Sequence, residues 1–317
     1  MKRLFIIRTP LQLFNAFEAM QRFSVDSDEN ELLIVYGTIR DYDMMQKMLK
    51  VCDGWSRIVY QPFMGWKKQF YAFQLKNKFK KNEYIEIYTG MIYHIPLHLM
   101  NYLNTKNNWL LDDGNETRLI VQNLNSGNYD QKDHSKPGLM IKQNPQVLKN
   151  IKIFTLYHDL KTNHEVVIND YRVFKKHIKN LIVKKNTCLM IGSNLIGTYL
   201  RSEEIYLNIL ASFIEHMKNK TVFYAPHRYL NELLIHKIKL LGYQILEYDT
   251  ILEVDQMVKG WRFEEYYSIR STAIDTLTNL YNVQGIYVRI PSQYFVSEQK
   301  WNECNQIWKT AHNIIDL

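Results

Sequence analysis

The chain has 317 residues and a formal charge of +8, from 40 Lys+Arg against 32 Asp+Glu. At about 150 residues per domain this length suggests about two domains, and a hydrophobic share of 46% excludes a mainly disordered chain. Only 12 Gly and 7 Pro exclude collagen-like or loop-dominated architectures, and the well-separated Cys52, Cys188 and Cys304 argue against a disulfide framework or a Cys-based zinc site and fit a reducing compartment.

In chain order, residues 4–7 form a short apolar run that Arg8 ends. That is less than the about 7–15 apolar residues of a secretory segment or the about 20 of a membrane helix, so the expectation is a cytoplasmic protein. Residues 4–7, 32–36, 58–60, 84–88 and 109–111 read as buried strands, being short, apolar and rich in β-branched or aromatic side chains. Helical patterns over 12–23, 42–51 and 69–80 lie between them. The alternation continues with strands at 151–156, 188–191, 222–225, 243–246 and 286–290 and helices at 203–217, 231–241 and 273–281. Strand–helix alternation of this kind predicts parallel sheets. A polar stretch, 123–149, separates the two series and reads as a loop. The expected fold class is α/β, with two Rossmann-like domains, 1–160 and 161–317, whose ligands bind at the carboxyl ends of the strands.

Four motifs sit at such strand ends, and a fifth leads into a helix. Asp112-Asp113-Gly114 places two carboxylates after strand 109–111, where burial and like charge favour a proton acceptor; a solvated turn is the alternative. Pro226-His227-Arg228 follows strand 222–225, and a rigid corner carrying an imidazole and a guanidinium suits a phosphate; an exposed loop histidine is the alternative. Gly192-Ser193-Asn194 follows strand 188–191 and offers backbone N–H groups, without the Lys-Ser/Thr of a P-loop. Ser271 and Thr272 precede helix 273–281 as a helix cap or a phosphate site. Arg8-Thr9-Pro10-Leu11-Gln12 follows the first strand and is also compatible with a plain strand-to-helix turn.

Other patterns carry less. Asp41-Tyr42-Asp43 has a D-x-D shape but precedes a helix and reads as an N-terminal cap pair rather than a metal site. His94 and His98 read as structural. Lys76, Lys78, Lys80 and Lys81, like Lys175, Lys176 and Lys179, read as solvated faces, whereas Trp66, Lys67, Lys68 and Phe70 form an aromatic–basic mix suited to a membrane surface. The basic balance fits nucleic acid, an anionic membrane face or a phosphorylated ligand, or else a plain lysine-rich surface; no nucleic-acid motif is present.

The order of these motifs, Thr-Pro-Leu-Gln, Asp-Asp-Gly, Gly-Ser, Ala-Pro-His and a Ser/Thr pair before a helix, resembles the bacterial sialyltransferases of glycosyltransferase family 52, and more distantly the bacterial polysialyltransferases. The resemblance implies a GT-B architecture, two Rossmann-like domains facing a cleft, the first on the acceptor side and the second on the donor side. It implies an inverting transfer of sialic acid from CMP-Neu5Ac, without a metal or other cofactor, to a terminal sugar, galactose by the family's habit, of a lipooligosaccharide, O-antigen or capsule. Asp112 then matches the family's general base and His227 the residue that meets the CMP phosphate. Ser271 and Thr272 match a phosphate-holding motif, and Glu253 matches a nucleotide contact. Gly192, Ser193, Asn194 and Arg228 fall to the donor side, and Thr9, Pro10, Gln12, Asp113 and Gly114 to the acceptor side. One departure is plain: the family has Pro after the His, whereas here Pro226 precedes it and Arg228 follows. Arg228 then either adds a phosphate contact or signals another donor, such as CMP-Kdo or CMP-pseudaminic acid. Expected partners are the CMP-sugar, a lipid-linked glycan, the inner face of the bacterial membrane and a second copy of the chain, with no nucleic acid; a basic nucleotide- or nucleic-acid-binding protein is the non-enzyme alternative.

Overall fold

A computed structural model describes residues 2–25, 28–63, 71–127, 144–178, 180–227 and 230–317. They divide into two compact units, Met1–Phe174 with Asp249–Val254, and Lys175–Tyr248 with Asp255–Leu317.

The first unit carries β1 (Lys2–Ile7), α1 (Pro10–Phe23), β2 (Glu29–Tyr36), α2 (Ile39–Met48), β3 (Arg57–Pro62), α3 (Tyr71–Lys76), β4 (Tyr84–Thr89), α4 (Ile95–Leu103), β5 (Asn107–Leu111), α5 (Asn115–Ser126), β6 (Lys152–Thr155), β7 (Val166–Ile168) and the start of α6 (Arg172–His177). Its strands form one sheet in the order β3-β2-β1-β4-β5-β6-β7, and every pairing is parallel. Both faces are buried, as parallel sheets require. Leu4, Ile6, Leu33, Ile87, Leu110 and Ile153 share one core with Leu97, Met100 and Ile120. On alternate residues of the same strands, Phe5 stacks on Tyr88 at 4.5 Å and Tyr88 on Trp109 at 5.5 Å. Phe23 of α1 closes that stack over Trp109 at 5.0 Å.

The second unit carries β8 (Ile182–Ile191), α7 (Glu203–His216), β9 (Thr221–Ala225), α8 (Glu232–Leu240), β10 (Gln244–Ile245), most of α9 (Leu252–Lys259), β11 (Trp261–Ser268), α10 (Ala273–Tyr281), β12 (Gln284–Arg289), α11 (Glu298–Thr310) and β13 (Ile314–Asp316). Its sheet order is β10-β9-β8-β11-β12-β13, again parallel throughout. Each sheet therefore winds outward in two directions from a central pair, β1/β4 in one and β8/β11 in the other. Such reversal points are where open α/β sheets bind ligands.

The expected boundary at residue 160 moves. The first unit continues to Phe174 because β7 joins its sheet edge and α6 docks on α1. Phe174 stacks on Phe14 at 4.0 Å, and the buried Glu18 accepts hydrogen bonds from the Val173 and Phe174 N–H groups at 2.8 and 3.3 Å. The expected loop 123–149 is also shorter: Asn123–Ser126 finish α5, Pro145–Leu148 form a single 3₁₀ turn, and 128–143 lie outside the described residues. The predicted helix 69–80 is observed as α3 alone, residues 69–70 lying outside the described residues.

No described helix is long and apolar enough to cross a membrane. Asp41 lies in the first turn of α2, whose cap is Thr38; the Thr38 hydroxyl accepts from the Asp41 N–H at 3.0 Å and donates to its carboxylate at 2.7 Å. Lys78 is not a solvated residue, since its ammonium donates to the Tyr60 carbonyl and to Gln61, both at 3.2 Å. Trp66, Lys67, Lys68, Phe70 and Lys179 lie outside the described residues.

Candidate functional site

In the first unit, α1 builds the site. Thr9 is its N-cap, accepting from the Gln12 N–H at 3.2 Å, and Pro10 opens the helix with a preset φ. From the cap through the first turns of α1 a polar side chain recurs every third residue, Thr9, Gln12, Asn15 and Glu18, among apolar ones. Together they hold several segments. Thr9 Oγ1 donates to Asp113 Oδ1 at 3.0 Å. Gln12, 1% exposed, donates from Nε2 to Asp113 Oδ2 at 2.7 Å and to the Gly90 carbonyl at 3.4 Å, while its Oε1 accepts from the Arg8 N–H at 2.7 Å. Asn15 donates to the Asp112 carbonyl at 2.9 Å and accepts from Asn169 at 2.9 Å. The strand ends of β1, β4 and β5 are thus tied together by Gln12. Gly90 leaves room for it: a Cβ there would lie 2.2 Å from the Gln12 side chain.

The two aspartates after β5 differ sharply. Asp112 is 1% exposed and is surrounded by donors. Its Oδ1 accepts from the Gly114 N–H at 2.7 Å and the Thr117 hydroxyl at 3.2 Å. Its Oδ2 accepts from the Thr155 hydroxyl at 2.5 Å and the Leu156 N–H at 3.0 Å. Burial raises its pKa and the four donors oppose the rise. Asp113 is half-buried and, among the described residues, accepts from Thr9 and Gln12. Burial pushes its carboxyl up to about 6, against the Gln12 and Thr9 hydrogen bonds, with the charges of Asp112 and Glu116 adding to the rise. Gly114 turns the chain at φ +68°, opening α5.

Beside this cluster, Arg8, Phe63, Met91, Tyr93 and His94 line a narrow apolar pocket at the ends of β1 and β4. The Arg8 guanidinium lies 5.5 Å from the Phe63 ring centroid. His94 has φ +53° and ψ −112°, a conformation that costs a non-glycine residue energy and that collects at functional sites. His98, by contrast, is core, packed edge-on against Tyr71 at 5.9 Å.

In the second unit three of the expected motifs gather around the β8/β11 reversal. Gly192 ends β8, where its N–H donates to the Ala225 carbonyl at 2.9 Å; a Cβ would fall 2.4 Å from the Tyr224 hydroxyl, so the close approach needs glycine. The Ser193 hydroxyl is buried and has no hydrogen-bond partner among the described residues. Asn194 is exposed beside it. Ser268 pins β11 to β8, donating to the Ile191 carbonyl at 2.9 Å and accepting from the Ser271 N–H at 2.9 Å. That bond folds the turn that presents Ser271 and Thr272 at the start of α10, where Ser271 accepts from the Ala273 N–H at 3.3 Å and Thr272 makes no cap bond. Arg270 in the same turn lies 4.2 Å from the Tyr199 ring centroid. His227 stands half-buried after β9, its loop held by the Tyr248 hydroxyl on the Pro226 carbonyl and by the Leu230 N–H on the His227 carbonyl at 2.8 Å. Arg228 lies outside the described residues.

Glu253 is placed differently from its expected companions. It opens α9 in the Asp249–Val254 segment, which groups with the first unit, is 3% exposed, and burial raises its carboxyl to about 7. Among the described residues no cluster of His, Cys, Asp and Glu is arranged to hold a metal ion.

No family model matches the chain, and no curated protein is detectably similar to it in sequence. Solved structures do share its fold. The GT-B domain of a sialyltransferase from Photobacterium damselae aligns with a TM-score of 0.53 at 13% identity, covering 99% of this chain and 98% of that one. A candidate UDP-N-acetylglucosamine 2-epimerase of Listeria monocytogenes aligns at 0.55 and 9% identity, covering 91% and 79%. S. aureus MnaA in a structure with UDP aligns at 0.51 and 12% identity, covering 91% and 79%. Two parallel-sheet α/β units with these neighbours make the chain a GT-B protein of two Rossmann-like halves.

Proposed function

We propose that the protein is an inverting glycosyltransferase that moves sialic acid from CMP-Neu5Ac to a hydroxyl of a terminal sugar, galactose in the first instance, of a lipid-linked bacterial surface glycan. The observation that carries this reading is the division of chemistry between the two units. The first holds a carboxylate pair after β5, one member raised by burial to about 6. The second gathers Gly192-Ser193, His227 and Ser271-Thr272 at the ends of β8, β9 and β11. Displacement at an activated keto-sugar needs both parts: a base for the acceptor hydroxyl and a set of donors for the departing phosphate.

In this reading His227 meets the CMP phosphate and gives it a proton or a charge-assisted hydrogen bond. The unpartnered Ser193 hydroxyl, the Asn194 amide, and the hydroxyls and N–H groups of Ser271 and Thr272 complete the cradle. Arg228 adds a cation next to His227 in sequence. The neutral form of Glu253 can donate to the nucleotide. Thr9 and Gln12 hold Asp113, the second carboxylate of the pair, with Pro10 and Gly114 shaping the two turns on the acceptor side. The leaving charge is met by side chains and backbone, so the reaction proceeds without a metal and continues in EDTA. A basic chain with no membrane-crossing helix among its described ones fits a protein held at an anionic membrane face on the cytoplasmic side.

The test is a CMP-sugar panel. CMP-Neu5Ac, CMP-Kdo and CMP-pseudaminic acid are offered with a β-galactoside, and CMP release and product are followed. Turnover of CMP-Neu5Ac supports the reading; turnover of another CMP-sugar moves the donor but keeps the class. His227→Ala is expected to lower turnover by about 100-fold or more while the protein stays folded.

A further inference from the structure

We infer that Arg270 holds a second anionic group of the donor, beside the phosphate, and so sets the class of donor the protein takes. The inference rests on the transferase reading above. In that reading the donor is a CMP-activated keto acid, with its carboxylate on the carbon that bears the phosphate. Arg270 lies in the turn between β11 and α10, next to Ser271. Its guanidinium lies over the Tyr199 ring, 4.2 Å from the centroid. Its Nε is buried without a hydrogen-bond partner among the described residues. A cation withdrawn from water in this way is ordinarily paired.

The neighbouring acid is already committed. Lys300 lies against the same ring, 4.8 Å from its centroid, and donates to both Glu303 oxygens at 2.8 Å. Glu303 also accepts from the Tyr199 hydroxyl at 2.8 Å. Two cations thus share one carboxylate. That carboxylate is bound to Lys300 and Tyr199, while Arg270 acts on it only through space. The buried Cys304 thiol beside the guanidinium is a weak acceptor. The cluster therefore keeps an uncompensated positive charge on Arg270.

Its place in the sheet is that of a ligand contact. Ser268 pins β11 to β8 through the Ile191 carbonyl at 2.9 Å. Ser193 and Arg270 each stand two residues beyond that bond, at the carboxyl ends of the central strand pair. The Ser193 hydroxyl is likewise buried and unpartnered among the described residues. In the transferase reading the phosphate is met by His227, Ser271 and Thr272, so a second anion on the donor needs its own partner. A guanidinium stacked on a ring presents its N–H groups in one plane, which matches the two oxygens of a carboxylate. Such a site favours keto-acid donors as a class, CMP-Neu5Ac, CMP-Kdo and CMP-pseudaminic acid alike. The β-phosphate of a nucleoside diphosphate sugar offers the same chemistry from a second source.

The experiment measures affinity by calorimetry for the full chain and its Arg270→Gln variant. The probes are CMP, CMP-3-fluoro-Neu5Ac (a donor that resists transfer), UMP and UDP. In the wild type the fluorinated donor is expected to bind more tightly than CMP. Arg270→Gln is expected to weaken that donor about 100-fold and CMP by no more than about 3-fold. Arg270→Lys keeps the charge but loses the fork, and falls between. The melting temperature of the ligand-free protein separates a ligand contact from a structural one. It is expected to stay or rise in Arg270→Gln, because an unpaired cation leaves the site. Equal losses for CMP and the fluorinated donor, or no loss for any probe, overturn the assignment. A lower melting temperature with affinities intact also overturns it and makes Arg270 a structural staple on Tyr199. If CMP and the fluorinated donor do not bind, yet Arg270→Gln weakens UDP and not UMP, the CMP-sugar reading fails while the anion site stands.

Discussion

At Asp113 the burial that raises the carboxyl also works against the fold. Its carboxyl is raised from the ordinary 3.8 to about 6, mainly by loss of solvent. The native state therefore holds that proton more tightly than the unfolded chain does. The sign follows: this residue's contribution is most favourable below pH about 4 and is lost as pH rises through 4 to 6. A shift of this size is worth about 3 kcal/mol at neutral pH. Asp113→Asn removes that penalty but leaves Thr9 or Gln12 without its acceptor, which costs about 1 kcal/mol. The variant is expected to be about 2 kcal/mol more stable than wild type at pH 7.5 by urea titration and equal or weaker at pH 4. A destabilised variant at pH 7.5 would show that the aspartate is structural. Such partners were not legible beforehand: Gln12 and Asp113 are 101 residues apart and Asp112 and Thr155 are 43 apart. The sequence marks the pair by its place after an apolar run, but only the fold distinguishes the sealed carboxylate from the open one.

Among the elements, α1 organises the first unit. Its apolar faces sit in the core while Thr9, Gln12, Asn15 and Glu18 hold the ends of β4, β5 and α6. Asn15→Leu strands the Asp112 carbonyl and the Asn169 amide, both buried, and is expected to cost about 2–4 kcal/mol, read as a lower urea midpoint. Gly90→Ala forces Gln12 aside and is expected to lower transfer by about 10-fold or more, with a smaller loss of melting temperature; unaltered kinetics would show that Gln12 does not matter to Asp113. The three-residue recurrence of polar side chains in PLQLFNAFEAMQRF was a readable signal, since polar residues on an otherwise buried helix need partners. Strands with continuous apolar runs were legible: β1, β2, β4 and β5 lie within a few residues of their predicted bounds. Others were not. β11 reads WRFEEYYS, its aromatics interrupted by charges, and the first half of β8 carries Lys184, Lys185 and Asn186 on an exposed stretch. β7 and β13 are three-residue edge strands with no room for a pattern. α4, IPLHLMNYL, is buried nearly all round and so shows no amphipathic period.

For the whole molecule, the repeated order of the two sheets, outward from β1/β4 and from β8/β11, accounts for why every expected motif fell after a strand. The doubly wound class was legible from strand–helix alternation, but the unit boundary was not, because β7 is only three residues long and α6 is a short, basic helix that belongs to the first unit through packing on α1. The charge of +8 is shared between solvated lysines and structural ones such as Lys78, so it identifies no ligand by itself. The GT-B neighbours include both a sialyltransferase domain and a protein with UDP, so the fold alone leaves the nucleotide open. The central claim is that this chain is a CMP-sugar transferase, and the most direct measurement is turnover with defined donors. Purified protein is incubated with CMP-Neu5Ac and lactose in EDTA, and sialyllactose and CMP are quantified beside a parallel reaction with UDP-N-acetylglucosamine. The account predicts stoichiometric CMP and sialyllactose, lost in His227→Ala, and no change in the UDP-sugar. Conversion of UDP-N-acetylglucosamine to its 2-epimer, with CMP-Neu5Ac left intact, would contradict it.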